Sequence, residues 1–218
     1  MEKSSLRPRG LAFSIVLTVV IICVATAIIC TAFLFLSNLN LGAGTKAEFY
    51  AIGKSYSELV SATTASQSER RQGRAGFVFA SNEGFLLTYA VYADKADAES
   101  VAQKNDCKLL TLTIPSVSLN ESDSEGFSAV LELAVETEKL WRQLDGGETS
   151  ESLAVTMLSK YADALGAYKN SEAMGELIAE LRTELLLICA GSGFPLTSDL
   201  KRISAQTAVR AWEFARKM

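Results

Sequence analysis

The sequence has no histidine. That removes the commonest general base and the commonest zinc ligand at neutral pH. It also contains no CxxC, no GxxxxGK[ST], no GxSxG and no HExxH. The usual signatures of redox dithiols, phosphate-cradling loops, serine hydrolases and zinc peptidases are therefore missing. Cysteine is scarce, with four in the chain. Cys23 and Cys30 fall in an apolar run, which leaves Cys107 and Cys189; two cysteines do not make a disulfide framework, and they read as one bridge between distant regions or as two free thiols. Basic residues are not in excess, and the net charge is −4, which argues against a nucleic-acid surface. The carboxylate pairs Glu132/Glu136 and Glu176/Glu180 stand four residues apart on helical stretches and read as solvated faces. No catalytic residue, no metal and no cofactor is expected.

What the sequence does have is one long apolar run, Leu11 to Leu36, with no charged residue and no proline. As a helix it reaches about 39 Å, longer than the hydrocarbon core of a bilayer. A single helix pairs all its backbone polar groups internally, as lipid requires. The run predicts a transmembrane helix over 11–36. Lys3, Arg7 and Arg9 precede it and no charge follows until Lys46, so the tail 1–10 is expected in the cytoplasm and the bulk of the chain outside. No second run is long enough to span, which predicts a single-pass protein of the cell membrane. Residues 37–46, rich in Asn, Gly and Ser, read as a short linker.

From Ala47 the pattern alternates between strand and helix. Aromatic and branched runs predict strands at 48–55, 75–80, 84–93 and 109–114, the last ended by Pro115. Between them lie helices at 57–72, with Leu59, Val60, Ala62 and Ala65 inward and Gly73 just past its end, and at 94–105, with Asp94 as N-cap and Ala96, Ala98, Val101 and Ala102 inward. The order β-α-β-β-α-β over 47–115 predicts a ferredoxin-like domain with both helices on one face of an antiparallel sheet.

FYAIGKSYS at 49–57 and GFLLTYAVYADKADAESVAQK at 84–104 resemble the two half-repeats of the SPOR domain family, in which an aromatic strand leads into an Ala-rich helix. The resemblance covers about a third of the chain. It implies a bacterial, extracytoplasmic module that binds the glycan strands of septal or cortex peptidoglycan in cell division or sporulation. It also implies a binding face on the open side of the sheet, which by alternation holds Tyr50, Ile52, Lys54, Leu86, Thr88 and Ala90. Where the family places Gln, Gly and Arg, this chain has Ile52, Lys54, Leu86 and Ala90, so the face is mainly apolar. An apolar face is expected to be covered, by the chain's own C-terminal helices or by a partner. Arg70, Arg71 and Arg74 form a basic cluster that reads either as a patch for an anionic polymer or as the solvated end of a helix.

Residues 116–126 are polar and acidic and read as a linker, with Asn120-Glu-Ser matching an N-glycosylation acceptor. Beyond them, 127–218 predicts four helices in a small antiparallel bundle. The second is capped by Thr149 or Ser150 and the last by Thr197 or Ser198. Leu153, Met157, Leu158, Tyr161 and Tyr168 are expected inward on the second, and Trp141 and Trp212 anchor the core. The whole is an α+β chain with an N-terminal membrane helix. Two functions fit it: a peptidoglycan-binding envelope module, or a non-catalytic membrane scaffold whose sheet and bundle bind a protein of the envelope instead of glycan.

Overall fold

The computed structural model describes residues 47–168 and 171–218. The expected cytoplasmic tail, membrane helix 11–36 and linker 37–46 lie outside the described residues. Among those described, no helix is long and apolar enough to cross a membrane.

Ten elements follow one another among the described residues. They are β1 (Ala47–Tyr56), α1 (Leu59–Arg71), β2 (Phe77–Ser81), β3 (Gly84–Tyr92), α2 (Lys95–Lys104), β4 (Lys108–Ile114), α3 (Glu121–Asp145), α4 (Glu151–Leu165), α5 (Glu172–Ala190) and α6 (Leu196–Lys217). The four strands form one antiparallel sheet in the order β2-β3-β1-β4. Local chemistry sets the element ends. Asp94 Oδ1 accepts from the Asp97 N–H at 2.9 Å and caps α2. Gly73 takes φ +81° just beyond α1, and its N–H and that of Arg74 return to the Arg70 and Glu69 carbonyls, the left-handed stop that glycine provides without strain.

Four helices follow the sheet. Phe127, near the start of α3, stacks on Phe214, near the end of α6, at 5.5 Å, while Trp141, near the end of α3, lies under Lys201, near the start of α6, at 4.8 Å. The two helices are therefore antiparallel. Ala205, Ala208, Ala211 and Ala215 on α6 are buried; small residues let its backbone approach its neighbours closely. α4 and α5 are antiparallel too, since Arg182 Nε donates to the Ala162 carbonyl (3.2 Å) and Cys189 Sγ approaches that of Val155 (3.6 Å).

Several sequence expectations change. The linker ends early: α3 begins at Glu121, because Asn120 Oδ1 caps the Asp123 N–H at 2.9 Å and its amide donates to Asp123 Oδ2. Ser150, not Thr149, caps α4. The last helix starts after Pro195, and neither Thr197 nor Ser198 caps it; Ser198 is buried and donates to the Arg74 carbonyl at 2.7 Å instead. Leu59, Val60 and Leu153, expected inward, are 51%, 75% and 52% exposed, and Ala96 is exposed as well. α1 buries only Ala62, α2 Ala98 and Ala102, so these helices touch the sheet through alanines.

The sheet and the C-terminal helices share one continuous core within a single compact unit.

Candidate functional site

The sheet has two covered faces, and a β-bulge decides which residue faces which. Ile52 pairs with Ala90, but the next residue, Gly53, pairs with Thr88. Tyr89 is the extra residue on β3, and alternation slips there. Gly53 permits this close approach: a Cβ added to it would lie 2.1 Å from the Leu87 carbonyl oxygen.

Cross-strand partners point to one side. One face therefore carries Tyr50, Ile52, Lys54 and Tyr56 with Tyr92, Ala90, Leu87 and Phe85. The Tyr89 hydroxyl reaches Glu69 of α1 from this side at 3.2 Å, and Tyr50 feels the charges of Asp94 and Glu99 at α2. The other face carries Phe49, Ala51, Thr88, Leu86, Leu112 and Ile114, with Phe77 and Phe79 of β2. Over it lies α6, whose Trp212 meets Phe79 edge-on at 6.5 Å and whose Arg202 sits over the Phe77 ring at 5.7 Å.

The six residues expected on one open face are thus divided. Leu86 and Thr88 lie on the face under α6, and Tyr50, Ile52, Lys54 and Ala90 on the face under α1 and α2. Tyr50, Ile52, Leu86, Thr88 and Ala90 are at most 7% exposed. Lys54 is exposed and, with Gly53, Ser55, Tyr56, Asp106 and Lys108, lines a shallow depression of about 440 Å³ at the end of β1. Thr88 is fully buried and its hydroxyl has no hydrogen-bond partner among the described residues. A buried hydroxyl without a partner costs stability, so the isosteric Thr88→Val is expected to raise the free energy of unfolding by about 1 kcal/mol. Chemical denaturation of the two proteins at equal m-value reads this directly, and a lower midpoint for the valine variant would refute it.

The basic cluster is also divided. Arg70 donates to Asp199 of α6 at 2.6 Å and lies 3.7 Å over the Phe194 ring. Arg74 pairs with Glu69 and covers the Tyr89 ring at 4.2 Å. Only Arg71 is exposed. Two of the three arginines therefore join α1 to its surroundings and leave no patch of three free cations. Cys107 and Cys189 are both free thiols, and burial raises the pKa of each, which suits packing residues.

Three carboxylate arrangements were missed or misplaced by the sequence reading. Glu138 is buried, accepts from the Ala93 N–H at 2.7 Å and from Arg142 at 2.9 Å, and Arg142 also reaches Asp97 of α2 at 2.7 Å. This network, beside the edge-on contact of Tyr92 and Trp141 at 5.6 Å, fastens the start of α2 to the end of α3. Burial raises the Glu138 pKa against the pull of its donors. Glu132 and Glu136 are half-buried, not on a solvated face; burial and the neighbouring Glu136 charge raise the pKa of Glu132, and Glu136 accepts from the Tyr161 hydroxyl at 3.5 Å. Glu180 accepts from Gln206 (3.0 Å) and Arg210 (2.9 Å) of α6. Apart from Arg142 and the Glu132/Glu136 pair, each four residues apart, the partners Ala93, Asp97, Tyr161, Gln206 and Arg210 are remote in sequence, so no local pattern marks them.

A cleft of about 240 Å³ lies between the end of α1, the second half of α5 and the first half of α6. Arg70, Glu184, Leu187, Ile188, Asp199, Arg202 and Gln206 contribute to its wall. Comparison of the chain with family models, with curated proteins and with solved structures gave no match.

Proposed function

We propose that this chain is a non-catalytic, single-pass membrane scaffold of the bacterial envelope. Its ferredoxin-like sheet and four-helix region stand outside the membrane, held there by the helix 11–36, and meet a protein partner. The resemblance of residues 49–114 to the SPOR family supports the envelope setting, and the basic tail ahead of the apolar run supports the orientation.

One observation favours the scaffold over the glycan-binding module. The sheet face opposite α1 and α2, where a glycan would lie by the resemblance, is filled by the chain's own helices. Leu112 and Ile114 are fully buried there, as are Thr88 and Leu86 to within 1%. A sugar chain would have to displace α6 and its buried alanines. Apolar surface for a protein partner is found instead on the outer helices, where Leu153 of α4 and Leu186 and Leu187 of α5 are 45–56% exposed.

The test uses the full-length protein in mild detergent, sedimented with purified cell-wall sacculi. The protein is expected to stay in the supernatant. Saturable retention on the sacculi would overturn the scaffold reading in favour of the glycan-binding one. A photoreactive residue at Leu186 is expected to give discrete protein adducts in native membranes that the same residue at exposed Glu172 does not, and their absence would equally count against the scaffold.

A further inference from the structure

The cleft between α1, α5 and α6 holds polar groups that the fold itself leaves unused. Arg70 pairs with Asp199 through one terminal nitrogen, and Asp199 also receives the Ser192 hydroxyl. Gln206 is 97% buried, since its exposure is 3%. Its amide nitrogen donates to Glu180, but its Oε1 has no partner. Arg70 Nε is likewise buried without an acceptor. Arg202, one helical turn before Gln206 on the same face of α6, makes no ion pair among the described residues and lies 5.7 Å over the Phe77 ring. Burial and the adjacent Arg70 charge lower its pKa, against the opposing pull of the Glu184 and Asp199 carboxylates, neither of which it contacts directly. Glu184 of α5 completes the wall as a half-buried carboxylate that makes no ion pair among the described residues. Leu187, 56% exposed, and Ile188 add an apolar flank.

The unused set is thus one cation, one donor (Arg70 Nε), one acceptor, one anion and an apolar wall, in a space of about 240 Å³. A lone inorganic anion would meet Arg202 but leave the Gln206 oxygen unpaired and face Glu184. An apolar guest would leave every polar group unmet, and an unmet buried polar group is costly. A small zwitterion answers the cation, the acceptor and the anion together. We propose that the cleft binds a free α-amino acid with an aliphatic side chain. Its carboxylate pairs with Arg202, its ammonium donates to Gln206 Oε1 and faces Glu184, and its side chain lies on Leu187 and Ile188. The site shares Arg202 with the edge of the sheet face under α6 and does not depend on the scaffold reading.

Titration of the full-length protein in detergent, followed by calorimetry and by amide chemical shifts, tests this. The probes are alanine, valine and leucine in both enantiomers, with leucinamide and N-acetyl-leucine as controls that lack one charge each. Saturable binding is expected for at least one aliphatic amino acid, tighter than for either control by about tenfold or more, the value of one charge-assisted hydrogen bond. Arg202→Gln is expected to abolish the preference over leucinamide, and Glu184→Gln the preference over N-acetyl-leucine. Neither residue has an ion-pair partner to strand, so both variants are expected to keep the parent melting temperature. The proposal fails if none of the amino acids binds, if either control binds as well as its parent, or if both variants retain full selectivity.

Discussion

A chain ended after Ile114 is expected not to fold, although it contains every strand and both crossover helices. Phe49, Ala51, Phe79, Leu86, Val91, Leu112 and Ile114 are each at most 5% exposed in the intact molecule, and those facing α6 would be left in water. Burying one such side chain is worth about 1.5–3 kcal/mol, and a domain's whole stability is about 5–15 kcal/mol. Exposing several at once exceeds what about seventy residues can offset. On the other face α1 and α2 contribute only alanines as fully buried residues, so they do not make up the loss. The intact chain is accordingly expected to melt in one cooperative transition, and the shortened chain to lack dispersed amide resonances and to exchange its amides within minutes. Native-like dispersion in the shortened chain would show that the sheet and its crossover helices are a self-sufficient domain, and the shared core would then count for little.

The same comparison explains what the sequence made legible. Between β1 and β4, strand and helix positions could be read to within a residue or two because punctuation was strong: Gly73, the turn before Gly84, Asp94 and Pro115 each mark an end by its own chemistry. Face assignment failed at the bulge. β3 reads FLLTYAVY and is buried on both sides, so polar-apolar alternation, the signal that would reveal a slip at Tyr89, is missing. The acidic stretch before Phe127 read as linker because its composition is polar, yet Asn120 and Asp123 are a cap and its third residue, a pattern that marks a helix start. The basic cluster read as one patch because charge is visible in sequence and its partners are not: Asp199 lies 129 residues from Arg70. The cleft was hidden for the same reason. Arg202 and Gln206 look like an ordinary polar stripe, and only the packing of α5 and α1 beside them shows which of their hydrogen bonds go unmade.

That remote pair carries the second large effect. Asp199→Ala is expected to lower stability by about 3–5 kcal/mol, the usual consequence of removing one member of a buried ion pair. The side chains of Arg70 and Asp199 are only 16% and 3% exposed. Without the carboxylate the guanidinium stays in low dielectric with only the Phe194 ring against it, and the Ser192 hydroxyl loses its acceptor too. The damage spreads because Asp199 sits in the first turn of α6. That turn also holds the Ser198 bond to the Arg74 carbonyl, and Lys201 reaches the Gly73 carbonyl at 3.2 Å and Asp145 at 2.8 Å, so the end of α1 is fixed to α6 at this point. Replacing both partners removes the stranded charge. Arg70→Met with Asp199→Leu is therefore expected to recover at least half of the lost stability, because two apolar side chains of similar length fill the space without a desolvation cost. Chemical denaturation of the parent, both single variants and the double variant forms a thermodynamic cycle. Coupling energy near zero, with the double variant as unstable as the sum of the singles, would mean that the contact is incidental and that α6 is held to the sheet by its apolar face alone.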